Sequence, residues 1–302
     1  MGLVMRYAVY MISTLTALAV CGCSNGDDLT LPPSSDSSIT IELEQQTKTY
    51  LGESVNGYRS VYWSVGDCIV ANGMTSSEAK IEGEKVRVAT FDFESKLDYP
   101  CNLLYPASFY KDAATITLPS VQQQTIEGNI AANTLPMATS VVAEGEMPKL
   151  HHLAGVIHLQ LKADNDNYNH NIRRIEFWGG ITEPKENEEE PVSHEQVSGD
   201  FTIDYATATL TPTSNKISAQ KVTLRLKSEL SADKITDVFI VVPAQEYKNG
   251  FTVRIVNELG HYLDKSKPSA QTIANGEILK MPEFSFVPTG TVIEGELSNS
   301  NN

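Results

Sequence analysis

Three histidines crowd the stretch KLHHLAGVIH: His151, His152 and His158. Imidazole is a common metal ligand, so their spacing is weighed first. The alternation that follows them marks a strand. On a strand His152 and His158 face the same way but stand about 20 Å apart at ~3.3 Å per residue. One ion cannot bridge that span, so these are histidines of a polar strand face. The stretch DNDNYNHN opens at Asp164 like a calcium loop, with acids at its first and third positions. It then has Asn169 where such a loop needs Gly and Ile175 where it needs Glu. A turn rich in Asn and Asp is the ordinary outcome of such a sequence. The run ENEEE reads as a solvated acidic loop. No G-x-S-x-G, H-E-x-x-H, Walker loop or dinucleotide fingerprint occurs. The sequence therefore predicts no catalytic residue, no metal site, no cofactor and no enzyme.

The remaining chemistry belongs to cysteine. Cys21 and Cys23 follow a mostly apolar run from Tyr7 to Val20, preceded by one positive charge, Arg6. That run has the length of a signal-peptide core and falls short of the roughly 20 apolar residues of a membrane span. It resembles a bacterial lipoprotein signal, in which a small residue precedes the cysteine that receives the lipid. Gly22 before Cys23 fits that rule and Val20 before Cys21 does not, so Cys23 is the expected lipidation site and residues 1–22 the signal peptide. The stretch that follows, SNGDDLTLPPSSDSS, has too few apolar residues to order itself, and residues 23–38 read as a flexible tether. Asp27 and Asp28 resemble the acidic signal that follows the lipidated cysteine of surface-exported lipoproteins in Bacteroidetes. The other two cysteines, Cys68 and Cys101, lie on expected strands outside the cytoplasm. They can form a disulfide or serve as two buried thiols; two thiols alone are too few for structural zinc.

The formal charge is −15, or about −16 once Arg6 leaves with the signal. A surface this acidic argues against nucleic acid as a partner, since a basic patch is expected there. The mature length of about 280 residues suits two ordinary domains.

These domains should be all-β. VIHLQLK places Ile157, Leu159 and Leu161 on one face; KVTLRLK does the same with Val222, Leu224 and Leu226, and FTVRIV with Phe251, Val253 and Ile255. DVFIVVP is continuously apolar and suits a strand covered on both faces. Gly, Pro, Asn and Asp break these runs at short intervals, as in VANGM, YKNGF and ELGHY, and no long segment has a 3.6-residue period. The pattern predicts β-sandwiches. A composition break near Met147 and Pro148 sets the expected domains at 39–148 and 149–288, with 289–302 as a tail. Trp63 and Trp178 are expected in the core; the other role open to them is stacking on a sugar at the surface.

Several stretches in order resemble the fimbrillin family of Bacteroidetes, the type V pilins and their surface-lipoprotein relatives. They are VYWSVGDCIVANG, NLLYPASFY with ITLPSVQQQT, LPMAT, LHHLAGVIHLQL, IVVPAQEYKNGFTVRIVNELGHY and ANGEILKMPEF, spanning roughly residues 40 to 285. The resemblance implies two tandem transthyretin-like Greek-key sandwiches, outer-membrane anchoring through the lipid, and a structural or adhesive role in fimbriae. The expected partners are other fimbrial subunits and a host or bacterial receptor or glycan. In polymerising members an arginine-specific protease removes the first strand, and a strand from the C-terminal end of the next subunit fills the groove. Arg59 is the first arginine after Cys23, and Thr291, Val292 and Ile293 lie in the C-terminal stretch TGTVIEGEL. The resemblance makes Arg59 a candidate cleavage site, although it comes later than the family pattern implies and directly beside an expected core strand, and it makes Thr291, Val292 and Ile293 a candidate donor strand; a tail beyond the last core strand is the other reading of that stretch. A non-polymerising glycan-binding lipoprotein of the same fold is the alternative.

Overall fold

The computed structural model describes residues 37–43, 61–125, 128–131, 133–141, 143–164, 168–185 and 194–292. Their regular structure is β-strand apart from two short 3-10 turns, Ala107–Phe109 and Ile217–Ala219. Among the described residues no helix is long and apolar enough to cross a membrane. The fold is all-β, built of stacked sheets.

The first sheet has the strand order Met74–Thr75, Val70–Ala71, Cys101–Tyr105, Met137–Val141, Lys149–His152, Ser38–Leu43 and Val88–Asp92. Alternation gives each strand one inward face. Ile39, Ile41, Ala89, Phe91, Leu103, Met137 and Leu150 converge with Trp63 in one apolar cluster. The opposite face of the same sheet contributes Val70, Leu104 and Ala138 to a second cluster. That cluster is completed by Phe109 of the first 3-10 turn and by a four-stranded sheet ordered Thr209–Pro212, Gly199–Asp204, Thr115–Leu118 and Tyr110–Asp112, through Ile116, Phe201 and Ile203.

The later half of the chain forms a sandwich. One layer contains Thr236–Pro243, Ala154–Ala163, Ile278–Lys280 and Phe284–Phe286. The other runs Gly290–Thr291, His261–Lys267, Phe251–Asn257, Asn171–Gly179, Lys221–Glu229 and Val121–Gln123. The facing residues are those the alternation marked: Ile157, Leu159 and Leu161 from one layer meet Val222, Leu224, Leu226, Val253 and Ile255 from the other. Each such side chain, fully buried, contributes roughly 1.5–3 kcal/mol. The continuously apolar strand Thr236–Pro243 is indeed covered on both sides. Val238, Ile240 and Val242 enter the sandwich core, while Phe239 and Val241 pack on Ile130 and Leu135 behind it.

Strand pairing crosses residue 148, where the sequence places a boundary. Lys149–His152 belongs to the first sheet, antiparallel to Met137–Val141 and parallel to Ser38–Leu43. Thr115–Leu118 pairs with Gly199–Asp204, and Val121–Gln123 runs parallel to Lys221–Glu229. Gln122 adds a tie to the strand Thr236–Pro243 of the other layer: its amide donates to the Val241 carbonyl at 2.6 Å and its oxygen accepts from the Val241 N–H at 3.1 Å.

Candidate functional site

The first and last described strands of the chain are held in different ways. The sequence Ser-Ile-Thr-Ile-Glu-Leu alternates without a break, and it forms the strand Ser38–Leu43. This strand lies between two others that come from far along the chain. It is antiparallel to Val88–Asp92, from Ser38 opposite Asp92 to Glu42 opposite Val88, and parallel to Lys149–His152 at Glu42 and Leu43. Ile39, Ile41 and Leu43 are buried, with Ile41 at 0% exposure. Their transfer from water is worth about 5–9 kcal/mol together. The outward side chains hold the edges: Thr40 and Thr90 hydroxyls lie 2.9 Å apart, and Glu42 meets Arg87 at 3.4 Å and Lys149 at 3.3 Å. Taking this strand away would expose the apolar floor formed by Ala89, Phe91 and Leu150. It would also strip backbone partners from both flanking strands, including the Pro148 carbonyl that accepts from the Glu42 N–H.

The other end of the chain is held differently. Gly290 and Thr291 pair antiparallel with Tyr262 and His261 at the edge of the six-stranded sheet. The Thr289 N–H donates to the Tyr262 carbonyl at 2.7 Å and the Val292 N–H to the Gly260 carbonyl at 2.9 Å. Val292 is buried and Thr291 exposed. A Cβ at Gly290 would stand 2.5 Å from the Tyr262 ring, so any other residue there requires the ring to shift. Beside it opens a cleft of about 390 Å³ whose floor is Arg254. The guanidinium lies 4.0 Å from the Tyr262 ring centre and 5.1 Å from that of Trp178. It donates to both Asp264 oxygens, at 2.8 and 2.9 Å, and to Glu183 at 2.5 Å. Burial works against its charge, but the hydrogen bonds and charges of Asp264 and Glu183 outweigh it and raise its pKa further. Arg254, Asp264 and Glu183 are paired with one another, and Glu183 also with Lys221 at 3.3 Å, which is the behaviour of a structural clamp; Lys185 lines the same cleft outside that set.

The residues singled out in the sequence fall as follows. Cys21, Cys23, Asp27, Asp28, Arg59 and Ile293 lie outside the described residues. The disulfide is corrected: Cys68 and Cys101 are both free. The antiparallel register that sets Val70 opposite Leu104 carries Cys68 towards Ala107, whose N–H donates to its carbonyl, while Cys101 runs the other way to sit opposite Val141. Some five residues of strand, roughly 16 Å, separate the two, beyond the ~7 Å that a disulfide tolerates between Cα atoms. Trp63 and Trp178 are both buried, so neither is a surface platform. Trp63 packs edge-on to Phe91 and Tyr105.

His158 stacks on Phe239 and lies 2.7 Å from an Asp237 oxygen, whereas His151 is exposed and His152 buried. Among the described residues no three His, Cys, Asp or Glu side chains are grouped to hold a metal ion. In the Asn-rich stretch after Asp164, the Asn169 side chain accepts from the Asn171 N–H, an Asx turn that leads into the next strand; residues 165–167 lie outside the described residues.

Sequence reasoning missed the strand at 38–43 as a site, although its alternation was available. It also missed the Arg254 clamp, because alternation showed Arg254 facing away from the core and gave no hint of its partners.

No protein-family model and no curated protein matches this chain. Among solved structures, the chain is similar to a candidate cell adhesion protein of Bacteroides ovatus at 12% identity. That match covers 85% of this chain and 97% of that one, with a TM-score of 0.48. A second, from Bacteroides uniformis, is also 12% identical and covers 85% and 96%, with a TM-score of 0.49. The tip fimbrial protein Mfa3 of Porphyromonas gingivalis, solved with a C-terminal truncation, is 12% identical over 76% of this chain and 80% of its own, with a TM-score of 0.27.

Proposed function

We propose that this chain is a fimbrillin-like adhesive subunit of the bacterial surface, held to the outer membrane by a lipid on Cys23 and joined to other subunits by strand exchange. The single observation that carries this reading is the strand Ser38–Leu43. It is the first described strand of the chain, it fills a slot between two strands distant in sequence, and Arg59 lies between it and the next described strand. Cleavage after Arg59 would detach the strand together with the tether and the lipid. The vacated slot has open backbone groups on both walls and an apolar floor, the requirements for β-augmentation. The C-terminal stretch from Gly290 is the donor in this reading: among the described residues, the Thr289 backbone bond, two paired residues and Val292 hold it to its own subunit.

The test is to treat purified full-length protein with an arginine-specific protease. Cleavage should give a new N-terminus at Ser60, followed by oligomers that resist detergent without heating. A protein trimmed at Ser60 that stays monomeric at high concentration overturns strand exchange. Anchoring is tested separately. Cys23→Ala should abolish incorporation of labelled fatty acid in cells, and labelling that survives the substitution overturns the lipid site.

A further inference from the structure

Away from both terminal strands, a cavity of about 250 Å³ opens where the hairpin at Asn72 and Gly73 meets the strand start at Tyr110 and the turn at Tyr205. Its lining is Asn72, Gly73, Asn102, Tyr110, Ala113 and Tyr205, with no charged side chain. The Asn72 carboxamide is spent on the fold: its oxygen accepts from the Asn102 N–H at 2.8 Å and its nitrogen donates to the Asp98 and Pro100 carbonyls. That fixes the wall from which the Asn102 side chain projects. Among the described residues the Asn102 carboxamide and the hydroxyls of Tyr110 and Tyr205 have no hydrogen-bond partner. Gly73, at φ +87°, completes the rim; a Cβ there would stand 2.9 Å from the Tyr110 hydroxyl oxygen.

We infer that this cavity binds one neutral sugar ring of a glycan. Four features of the lining select that class. The volume is below the roughly 300–1,000 Å³ of sites for drug-sized ligands, so one ring fits and a longer occupant must extend into solvent. The absence of charge among the lining side chains disfavours anions and cations. Two phenol side chains line the space, Tyr110 half-buried and Tyr205 buried, and give it an apolar wall against which the C–H side of a pyranose can pack. Two hydroxyls and one carboxamide can each donate and accept, as the equatorial and axial hydroxyls of a sugar require. Burial pushes the Tyr205 hydroxyl up to about 12, so it stays protonated and can donate at neutral pH. The inference rests on the adhesive reading above and supplies its ligand class; the cavity shares no residue with the exchange slot or the C-terminal edge.

The experiment is saturation-transfer NMR on the full-length protein with a panel of methyl glycosides of glucose, galactose, mannose, fucose, N-acetylglucosamine and N-acetylgalactosamine. At least one should receive saturation, with a dissociation constant in the millimolar range expected of a single ring. Asn102→Ala should weaken that binding at least tenfold with little change in thermal melting; Tyr110→Ala should weaken it as much, and because it also removes packing on the Phe109 cluster its fold is checked by circular dichroism at the assay temperature. Tyr110→Phe separates the ring from its hydroxyl and should lose less than Tyr110→Ala. Binding by no glycoside of the panel overturns the inference, as does binding that both alanine variants retain in full. Because the readout is a lone subunit, its failure leaves the assembly test untouched, and failure of assembly leaves this result standing.

Discussion

At the scale of single residues, the two thiols make the clearest test. Cys101 is fully buried in the first core, and burial pushes its pKa from 9.0 up to about 11. The unfolded chain would ionise near its ordinary value while the folded chain keeps its proton. The stability this thiol contributes is therefore complete below pH 9 and is lost as the pH rises from 9 to 11. Over the first of those units the loss is about 1 kcal/mol. Urea unfolding at pH 8 and pH 10 should show that decline, and Cys101→Ala should show a shallower one. Buried Tyr205 adds to the loss only above about pH 10, because its own window runs from 10.0 to about 12. Alkylation followed by mass spectrometry should find both thiols unbridged, with Cys101 unreactive until denaturant is added. A bridged Cys68–Cys101 peptide would refute the register that separates them.

Among the elements, the two terminal strands should respond differently to damage. Ile41 is fully buried at the centre of its strand, and Ile41→Ala should cost about 3 kcal/mol of stability, within the 2–5 kcal/mol usual for such a truncation. Among the described residues the C-terminal edge rests on two paired residues, the Thr289 backbone bond and one buried valine. Gly290→Val would drive two methyls into the Tyr262 ring and lift the edge away. The expected loss is about 1–2 kcal/mol, a fall of a few degrees in melting temperature for a protein this size. If Gly290→Val costs as much as Ile41→Ala, the C-terminal strand is too firmly seated to be a donor. If it costs little and the variant also joins oligomers normally, the donor lies elsewhere in the chain.

For the whole molecule, charge is the governing quantity. Trimmed after Arg59, the chain keeps 20 Lys and Arg against 32 Asp and Glu, a formal charge of −12, so two subunits repel one another at low ionic strength. Salt shortens the reach of that repulsion from about 30 Å at 0.01 M to about 8 Å at 0.15 M. Assembly of trimmed subunits, followed by light scattering, should therefore speed up between these two conditions. An assembly rate that falls with salt would mean that opposite charges on the two surfaces, rather than backbone and apolar contacts in a slot, steer the association.

The sequence by itself determined the class of fold and the inward faces. The alternation of Ile157, Leu159 and Leu161, and of Val222, Leu224 and Leu226, needs only the two-residue period of a strand to specify which side is buried. The apolar run Thr236–Pro243 likewise implied cover on both faces, because side chains pointing both ways had to leave water. Tertiary structure alone decided which strands are neighbours and in what register. Pairing of Thr115–Leu118 with Gly199–Asp204 joins residues more than eighty positions apart, and alternation is the same whichever partner a strand finds. That is why the cysteines looked bridgeable until the register set them apart, and why a surface role stayed open to Trp178, expected in the core, until the packing buried it. The cavity between Asn102, Tyr110 and Tyr205 has the same origin. Each residue is an ordinary strand or turn residue in its own segment, and only the packing of three distant segments leaves their polar groups facing one space.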